Sequence, residues 1–256
     1  AARTSANLIF ASDQATGKHK ELQMEFYQTL DDLQSLIAKK QRYVKQDSVH
    51  GLYVIIDPAV TGGRDPIEIT REALTGGARV IQLRDKINGK SKSLSLAKSM
   101  KSLCDEKGGL FIVNDHADLA ASIEASGLHI GQEDLPVDSA RLVLDQTQII
   151  GRSNHNLQEA IQSQIQGVDY LAIGAMYPTT SKDQPIIGGI HLLEKVRESV
   201  KTPLVVIGGI THKNLSGLIK SGADAICVIG AVGLAANPLT AAQLLVESIH
   251  RAGGRV

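Results

Sequence analysis

The sequence predicts an α/β chain, a (β/α)8 barrel of the TIM type preceded by a long N-terminal helix. Three observations carry this. From Gly51 onward, eight short apolar runs rich in Val and Ile alternate with amphipathic stretches. Near-continuous β-branched runs fit strands buried on both faces of a parallel sheet. Several of the amphipathic stretches stop at glycine, at Gly76, Gly108, Gly167 and Gly222, as helices do just past their last turn. Similar short phrases also recur before strands: Gly76-Gly77-Ala78, Gly167-Val168-Asp169 and Gly222-Ala223-Asp224. They mark a repeated unit of helix, glycine stop and strand. Eight such units in about 200 residues match a compact barrel. The rival is an open doubly wound sheet. The barrel is preferred because the count is eight and no G-x-G-x-x-G follows the first strand.

Taken in order, residues 1–17 are small and polar and carry no strong period. Residues 18–46 read as one helix, because Leu22, Phe26, Leu30, Leu33 and Ile37 recur at three- and four-residue steps with charges between them. Such a stripe must cover something: the rest of the chain, a second subunit of a homo-oligomer, or a missing N-terminal domain. Residues 1–50 are therefore read as an extension and 51–256 as the barrel. Its strands are predicted at 52–56, 79–83, 110–113, 127–130, 148–151, 169–173, 203–207 and 225–229. Helices are predicted between them at 66–75, 91–107, 156–166, 192–200 and 212–221.

Composition excludes several classes. Lysine plus arginine and aspartate plus glutamate both number 27, so the formal charge is zero. Nucleic acid is thereby disfavoured as a partner, since phosphate backbones are held through a cationic excess. The longest apolar run, residues 225–236, is broken by glycines and falls short of the roughly 20 residues of a membrane span. With 43% hydrophobic residues a sizeable core is expected. The 24 glycines and 3% aromatics suit an α/β protein with many tight turns. Cys104 and Cys227 show no metal-ligand spacing and read as two reduced core thiols of a cytoplasmic protein. The chain starts at Ala1 rather than Met, which reads as a fragment or a processed product, and no signal-type apolar segment opens it.

Barrel chemistry gathers at the C-terminal strand ends. After strand 2, alternation sends Gln82, Arg84 and Lys86 to one side, and two cations with an amide make an anion site. Strand 3 ends in Asn114 and Asp115, and strand 4 leads to Asp134. Carboxylates at adjacent strand ends suit a Mg²⁺ bridging to phosphate oxygens, though both also stand where helix caps stand. Strand 5 ends in Ser153, Asn154 and His155. The loop after strand 6 carries Thr179, Thr180, Ser181 and Lys182, which read as a lid that hydrogen-bonds phosphate. Gly208 and Gly209 after strand 7, and Gly230 after strand 8, let backbone N–H groups approach a ligand. Two anion sites on one barrel point to a two-substrate transferase with a diphosphate leaving group. A phosphate-ligand isomerase or tautomerase and a non-catalytic sensor are the competing readings.

Seven segments then resemble one family in their joint order: GLYVIID at 51–57, QLRDK at 82–86, FIVND at 111–115, GLHIGQED at 127–134, GRSNH at 151–155, PTTSK at 178–182 and IGGI at 207–210. Together they resemble the thiamine-phosphate synthases over most of the chain. The resemblance implies the joining of a hydroxymethylpyrimidine diphosphate to a thiazole phosphate, with dissociative loss of pyrophosphate. It implies that Gln82, Leu83, Arg84, Asp85, Lys86, Asn114, Ser153 and Lys182 hold the pyrimidine diphosphate. Within that set Arg84, Lys86, Lys182 and Ser153 are the expected catalytic residues. It further implies that Asp115 and Asp134 bind Mg²⁺. The thiazole phosphate would lie on Thr179, Thr180, Ser181, Gly209, Ile229 and Gly230. The related thiazole tautomerases place a histidine where this chain has Gly174, Ala175 and Met176, which favours the synthase.

Overall fold

Inward and outward alternation along eight parallel strands builds two separate cores around one closed barrel. The computed structural model describes residues 17–179 and 187–256, with side chains of the first helix from Lys20 onward. The expectation for residues 1–16 lies outside the described residues. The strands are β1 (Gly51–Ile56), β2 (Val80–Leu83), β3 (Leu110–Asn114), β4 (Gly127–Ile130), β5 (Ile149–Asn154), β6 (Tyr170–Gly174), β7 (Leu204–Ile207) and β8 (Ala225–Val228). Each pairs with its sequence neighbour. The ring closes where β1 pairs with β8, Gly51 opposite Ala225 and Tyr53 opposite Cys227.

The helices follow the strands. Among the described residues they are α1 (Gly17–Asp47), α2 (Pro66–Thr75), α3 (Lys90–Lys107), α4 (Ala117–Ser122), α5 (Val137–Val143), α6 (Leu157–Ile165), α7 (Gly189–Ser199), α8 (Ser216–Lys220), α9 (Gly230–Gly233) and α10 (Pro238–Arg251). Helix α2 starts where the Asp65 carboxylate accepts the Ile67 N–H and Pro66 opens the first turn. Gly108, in the left-handed region at φ 71°, ends α3. The helix expected at 212–221 is shorter. The Asn214 side chain accepts from the Thr211 N–H and donates to the Gly209 carbonyl, which folds the first residues into a turn.

Outward residues such as Leu52, Ile81, Leu128 and Leu171 pack against the helices. Inward residues, among them Val80, Ile112, Ile149, Tyr53, Tyr170 and Cys227, fill the barrel. The recurring Asp before strands has a defined task. The Asp169 carboxylate accepts the Ile150 N–H of the preceding strand and meets Arg141. Asp224 repeats this, accepting the Leu204 N–H and meeting Arg197. Each arginine answers a buried or half-buried carboxylate, so neither charge is left unpaired.

Helix α1 lies at the foot of the barrel. Lys45 donates to the Thr147 carbonyl at 3.0 Å, Arg42 Nε lies 3.3 Å from Asp169, and Ala38 is buried. Its apolar stripe faces elsewhere: Leu22, Phe26, Leu33 and Ile37 are 53, 42, 52 and 50% exposed. Among the described residues, polar anchors rather than most of this stripe join α1 to the barrel; of the stripe, Leu30 is half-buried.

Candidate active site

Successive inward positions rise through the barrel toward its C-terminal mouth. On β1 the inward series is Tyr53, Ile55 and then Asp57; on β2 it is Val80, Gln82 and then Arg84. The Asp57 carboxylate is buried, accepts the Ala59 N–H at 2.9 Å and forms an ion pair with Arg84. The backbone fixes this meeting, because the Arg84 N–H donates to the Ile56 carbonyl and so carries the β1 and β2 ladder past the strands. Lys86, half-exposed, reaches the Asp115 carboxylate at 2.6 Å. Asp115 itself stands at φ 61°, a sparsely populated conformation for a non-glycine residue, directly after β3. Its N–H donates to the His129 carbonyl at 2.8 Å, which holds it against β4.

The inward set on β3, β4 and β5 includes Asn114, His129 and Ser153. Asn114 pairs in register with His129, and the His129 Nε2 to Ser153 Oγ distance is 2.9 Å. Asp134 accepts the Gly131 N–H at 2.6 Å, closing the loop after β4. Neither Asp115 nor Asp134 occupies a cap position; His116 and Pro136 stand there.

Two residues of the expected diphosphate set face outward. Leu83 is buried in the outer core. The Asp85 carboxylate accepts from the Ser93 hydroxyl at 2.7 Å and from the Asn88 N–H at 3.0 Å. Burial pushes the Asp85 pKa up, and these hydrogen bonds outweigh it, so the group sits below the usual carboxylate value. His155 likewise turns to its own helix, with Nδ1 3.1 Å from Glu159.

Beyond β6, the backbone of Met176 and Tyr177 donates to the carbonyls of Ile207 and Gly208. The described part of this loop stops at Thr179 and resumes at Ile187; Thr180, Ser181 and Lys182 lie outside the described residues. Gly209 is at φ 63°, and a Cβ there would stand 2.4 Å from the Pro178 carbonyl oxygen. Glycine at this position thus lets the loops after β6 and β7 touch. Ile229 precedes α9, whose first residue is Gly230.

Sequence reasoning gives no role to Tyr53 or Asp57, which stand in the GLYVIID segment, nor to Tyr170. Their signal is parity alone: each lies on the inward register of its strand, and two are phenols among the mostly aliphatic residues of the inner core. His129 was seen in the sequence but given no role.

A closed parallel barrel with paired charges at its C-terminal mouth defines the class of (β/α)8-barrel enzymes. Comparison with known proteins narrows the class. Residues 52–232 match the family described as thiamine monophosphate synthase. The thiamine-phosphate synthase of Moorella thermoacetica is 44% identical over 207 residues, 80% of this chain and 98% of that protein. That of Shouchella clausii is 40% identical over 203 residues, 78% of this chain and 97% of the other. The solved thiamine phosphate pyrophosphorylase of Pyrococcus furiosus superposes with a TM-score of 0.75 at 35% identity, covering 82% of this chain and 99% of that one. The chain belongs to the thiamine monophosphate synthase family and is a transferase.

Proposed function

We propose that this mouth joins 4-amino-5-hydroxymethyl-2-methylpyrimidine diphosphate to 4-methyl-5-(2-phosphoethyl)thiazole, giving thiamine phosphate and pyrophosphate. The observation that carries the reading is the pair of cations at alternate positions after one strand, Arg84 on Asp57 and Lys86 on Asp115. Both are held by carboxylates until a stronger anion arrives. Arg84 offers a planar fork and Lys86 a point charge to the diphosphate. Gln82 and Ser153, both inward, hold the pyrimidine ring, with Asn114 beside them. Lys182 completes the cationic set from the loop after β6. Thr179, Thr180 and Ser181 from the same loop, with Gly209, Ile229 and Gly230, take the thiazole phosphate.

Asp115 and Asp134 are the residues that would hold Mg²⁺. The donor set suits it: the two carboxylates follow the adjacent paired strands β3 and β4, and both are hard oxygen donors. One or two carboxylates completed by water and substrate oxygens is the usual way this ion is bound. When bound, Mg²⁺ adds positive charge against the diphosphate. The C–O bond to the diphosphate breaks first, and the oxygen leaves with the electron pair. Arg84, Lys86 and Lys182 stabilise that charge while the ring's amino group feeds electrons to the methylene carbon. The thiazole nitrogen then forms the new C–N bond. Positioning and fixed charge supply the acceleration, so no protein nucleophile is needed.

Balanced charge supports small phosphorylated substrates rather than nucleic acid as partners. Two thiols buried in different cores support a reducing, cytoplasmic setting. The exposed stripe of α1 supports association with a second copy. Incubation with both substrates and Mg²⁺, with mass detection of thiamine phosphate, tests the reading. Arg84→Met is expected to lower kcat/KM by about 10²-fold or more; near-normal turnover would refute the assignment.

A further inference from the structure

Gln82 and Ser153 stand on β2 and β5, three strands apart around the ring. Three buried side chains nevertheless join them. Gln82 Nε2 donates to the Tyr53 hydroxyl at 3.1 Å. The Tyr53 and Tyr170 hydroxyls are 3.0 Å apart. The Tyr170 hydroxyl lies 3.0 Å from His129 Nδ1, and His129 Nε2 lies 2.9 Å from Ser153 Oγ. Ring packing holds the members in place: His129 stacks on Tyr170 at 5.6 Å between centroids, and Tyr53 meets Tyr170 at 6.1 Å. Burial pushes both phenol pKa values up, so each stays a hydroxyl with one hydrogen to give.

With Nε2 of Gln82 turned to Tyr53, counting hydrogens sets the direction of the chain. An amide nitrogen can only donate. Tyr53 takes that hydrogen on its oxygen and gives its own to Tyr170. Tyr170 in turn gives its hydrogen to His129 Nδ1. His129 then carries its hydrogen on Nε2 and donates to Ser153. The hydrogen of the half-buried Ser153 hydroxyl is left to point into the mouth. At the other end Gln82 is 1% exposed, and among the described residues its Oε1 has no hydrogen-bond partner. The two ends are therefore one donor, on Ser153, and one acceptor, on Gln82.

We infer that Tyr53, Tyr170 and His129 are positioning residues that form a polarity relay, fixing Gln82 as acceptor and Ser153 as donor and so selecting an aminopyrimidine over its oxo counterpart. The inference rests on the reading of Gln82 and Ser153 as the residues that hold the pyrimidine. A 4-aminopyrimidine presents an N–H donor beside a ring-nitrogen acceptor. The 4-oxo form presents the reverse, a carbonyl acceptor beside a ring N–H. Accepting it would require Gln82 to flip and every hydrogen in the chain to reverse together. A site whose buried polar groups are left mismatched rejects an analogue far more strongly than an apolar pocket can.

The direct test is the His129 tautomer in the ligand-free protein, read by nitrogen-15 NMR on histidine-labelled material. His129→Gln assigns the signals by their loss. An unprotonated Nδ1 and a protonated Nε2 are expected in the wild-type protein, and a mixture of tautomers in Tyr170→Phe. In parallel, binding of the 4-amino and 4-oxo pyrimidine diphosphates is compared. The wild-type protein should prefer the amino form by about 10²-fold or more. Tyr170→Phe should shrink that preference at least about tenfold, with inorganic pyrophosphate bound equally by both proteins. Tyr53→Phe breaks the relay at a second point and should act alike, should Tyr170→Phe fail to fold. A protonated Nδ1 in the wild-type protein would overturn the relay. So would a folded Tyr170→Phe that keeps both the tautomer and the preference. Wild-type protein that binds no pyrophosphate would instead overturn the site reading, and with it the relay's part in selection.

Discussion

Gly151→Ala probes the relay through packing alone. Gly151 lies on the inner face of β5, under the Tyr170 ring. A Cβ there would stand 1.9 Å from Tyr170 Cζ and 2.2 and 2.3 Å from its Cε atoms. Carbon atoms in contact keep about 3.5–4.0 Å, so the ring must retreat by roughly 1.5 Å. Tyr170 is fully buried, and its hydroxyl is bonded to Tyr53 and His129. Retreat on that scale breaks both bonds. Overpacking costs about 1–3 kcal/mol, and each buried hydrogen bond lost adds about 1 kcal/mol. A loss of about 3–5 kcal/mol follows, a large share of the roughly 5–15 kcal/mol that a folded chain holds. Gly151 is not among the glycines at positive φ, so backbone strain does not contribute. A Gly→Ala change in open space with ordinary φ would instead stabilise slightly, by reducing the freedom of the unfolded chain. The sign alone is therefore diagnostic. Urea melts should show a lower midpoint with an unchanged slope, and the Tm should fall by about 10 °C. A Tm within about 2 °C of wild type, with turnover intact, would refute the argument.

Three further outcomes are expected. Asp85 has a folded-state pKa below its ordinary value of 3.8, so its contribution to stability is present above about pH 4 and lost as pH falls through the lower folded value. Urea midpoints between pH 3 and 6 should drop more steeply in wild type than in Asp85→Asn; equal slopes would count against it. Burial pushes the Cys104 thiol up to about 12 and raises Cys227 as well. Neither thiol should react with a disulfide reagent at pH 8 until the protein is unfolded, and fast native labelling would contradict the burial. Leu33→Glu with Ile37→Glu should convert an associated protein to a monomer by light scattering while barely moving the Tm, since both residues are half exposed. A wild-type protein that is monomeric at high concentration would refute self-association through α1.

The sequence announces this barrel clearly because its signals are local. Val- and Ile-rich runs find strands, and glycine stops such as Gly108 and Gly167 find helix ends. Short helices were harder. Ala117–Ser122 and Val137–Val143 are too brief to show a 3.6-residue period, whereas α10 carries the same signal as the others, Gly253 at φ 89° just past its last turn, and went unread. At the mouth, charged residues next to strand ends were legible, because Arg84, Lys86 and Asp115 break an apolar run. Their partners depend on neighbouring strands. That Arg84 meets Asp57 follows from the β1 and β2 register, which no linear spacing displays. Parity also separates residues that sequence proximity groups together. Leu83 and Asp85 interleave with Gln82, Arg84 and Lys86, yet face the opposite side.

The interior chemistry gives that parity a purpose. If Tyr53 and Tyr170 served packing alone, phenylalanine would fill the same space with no hydroxyl to satisfy, and buried polar groups are retained at a cost unless every partner is present. Here every link is made except the last. Among the described residues three buried side-chain polar atoms lack a partner: His50 Nδ1, Arg152 Nε and Gln82 Oε1. His50 precedes β1 at the foot of the barrel, and Arg152 lies on the outward face of β5, where it reaches Gln166. Gln82 alone stands on an inward position, two residues below Arg84. An otherwise satisfied network that ends on one bare, buried acceptor beneath Arg84 is incomplete in a specific way. A donor on the ligand completes it, so the same residues that lower the stability of the empty barrel become the ones that recognise what fills it.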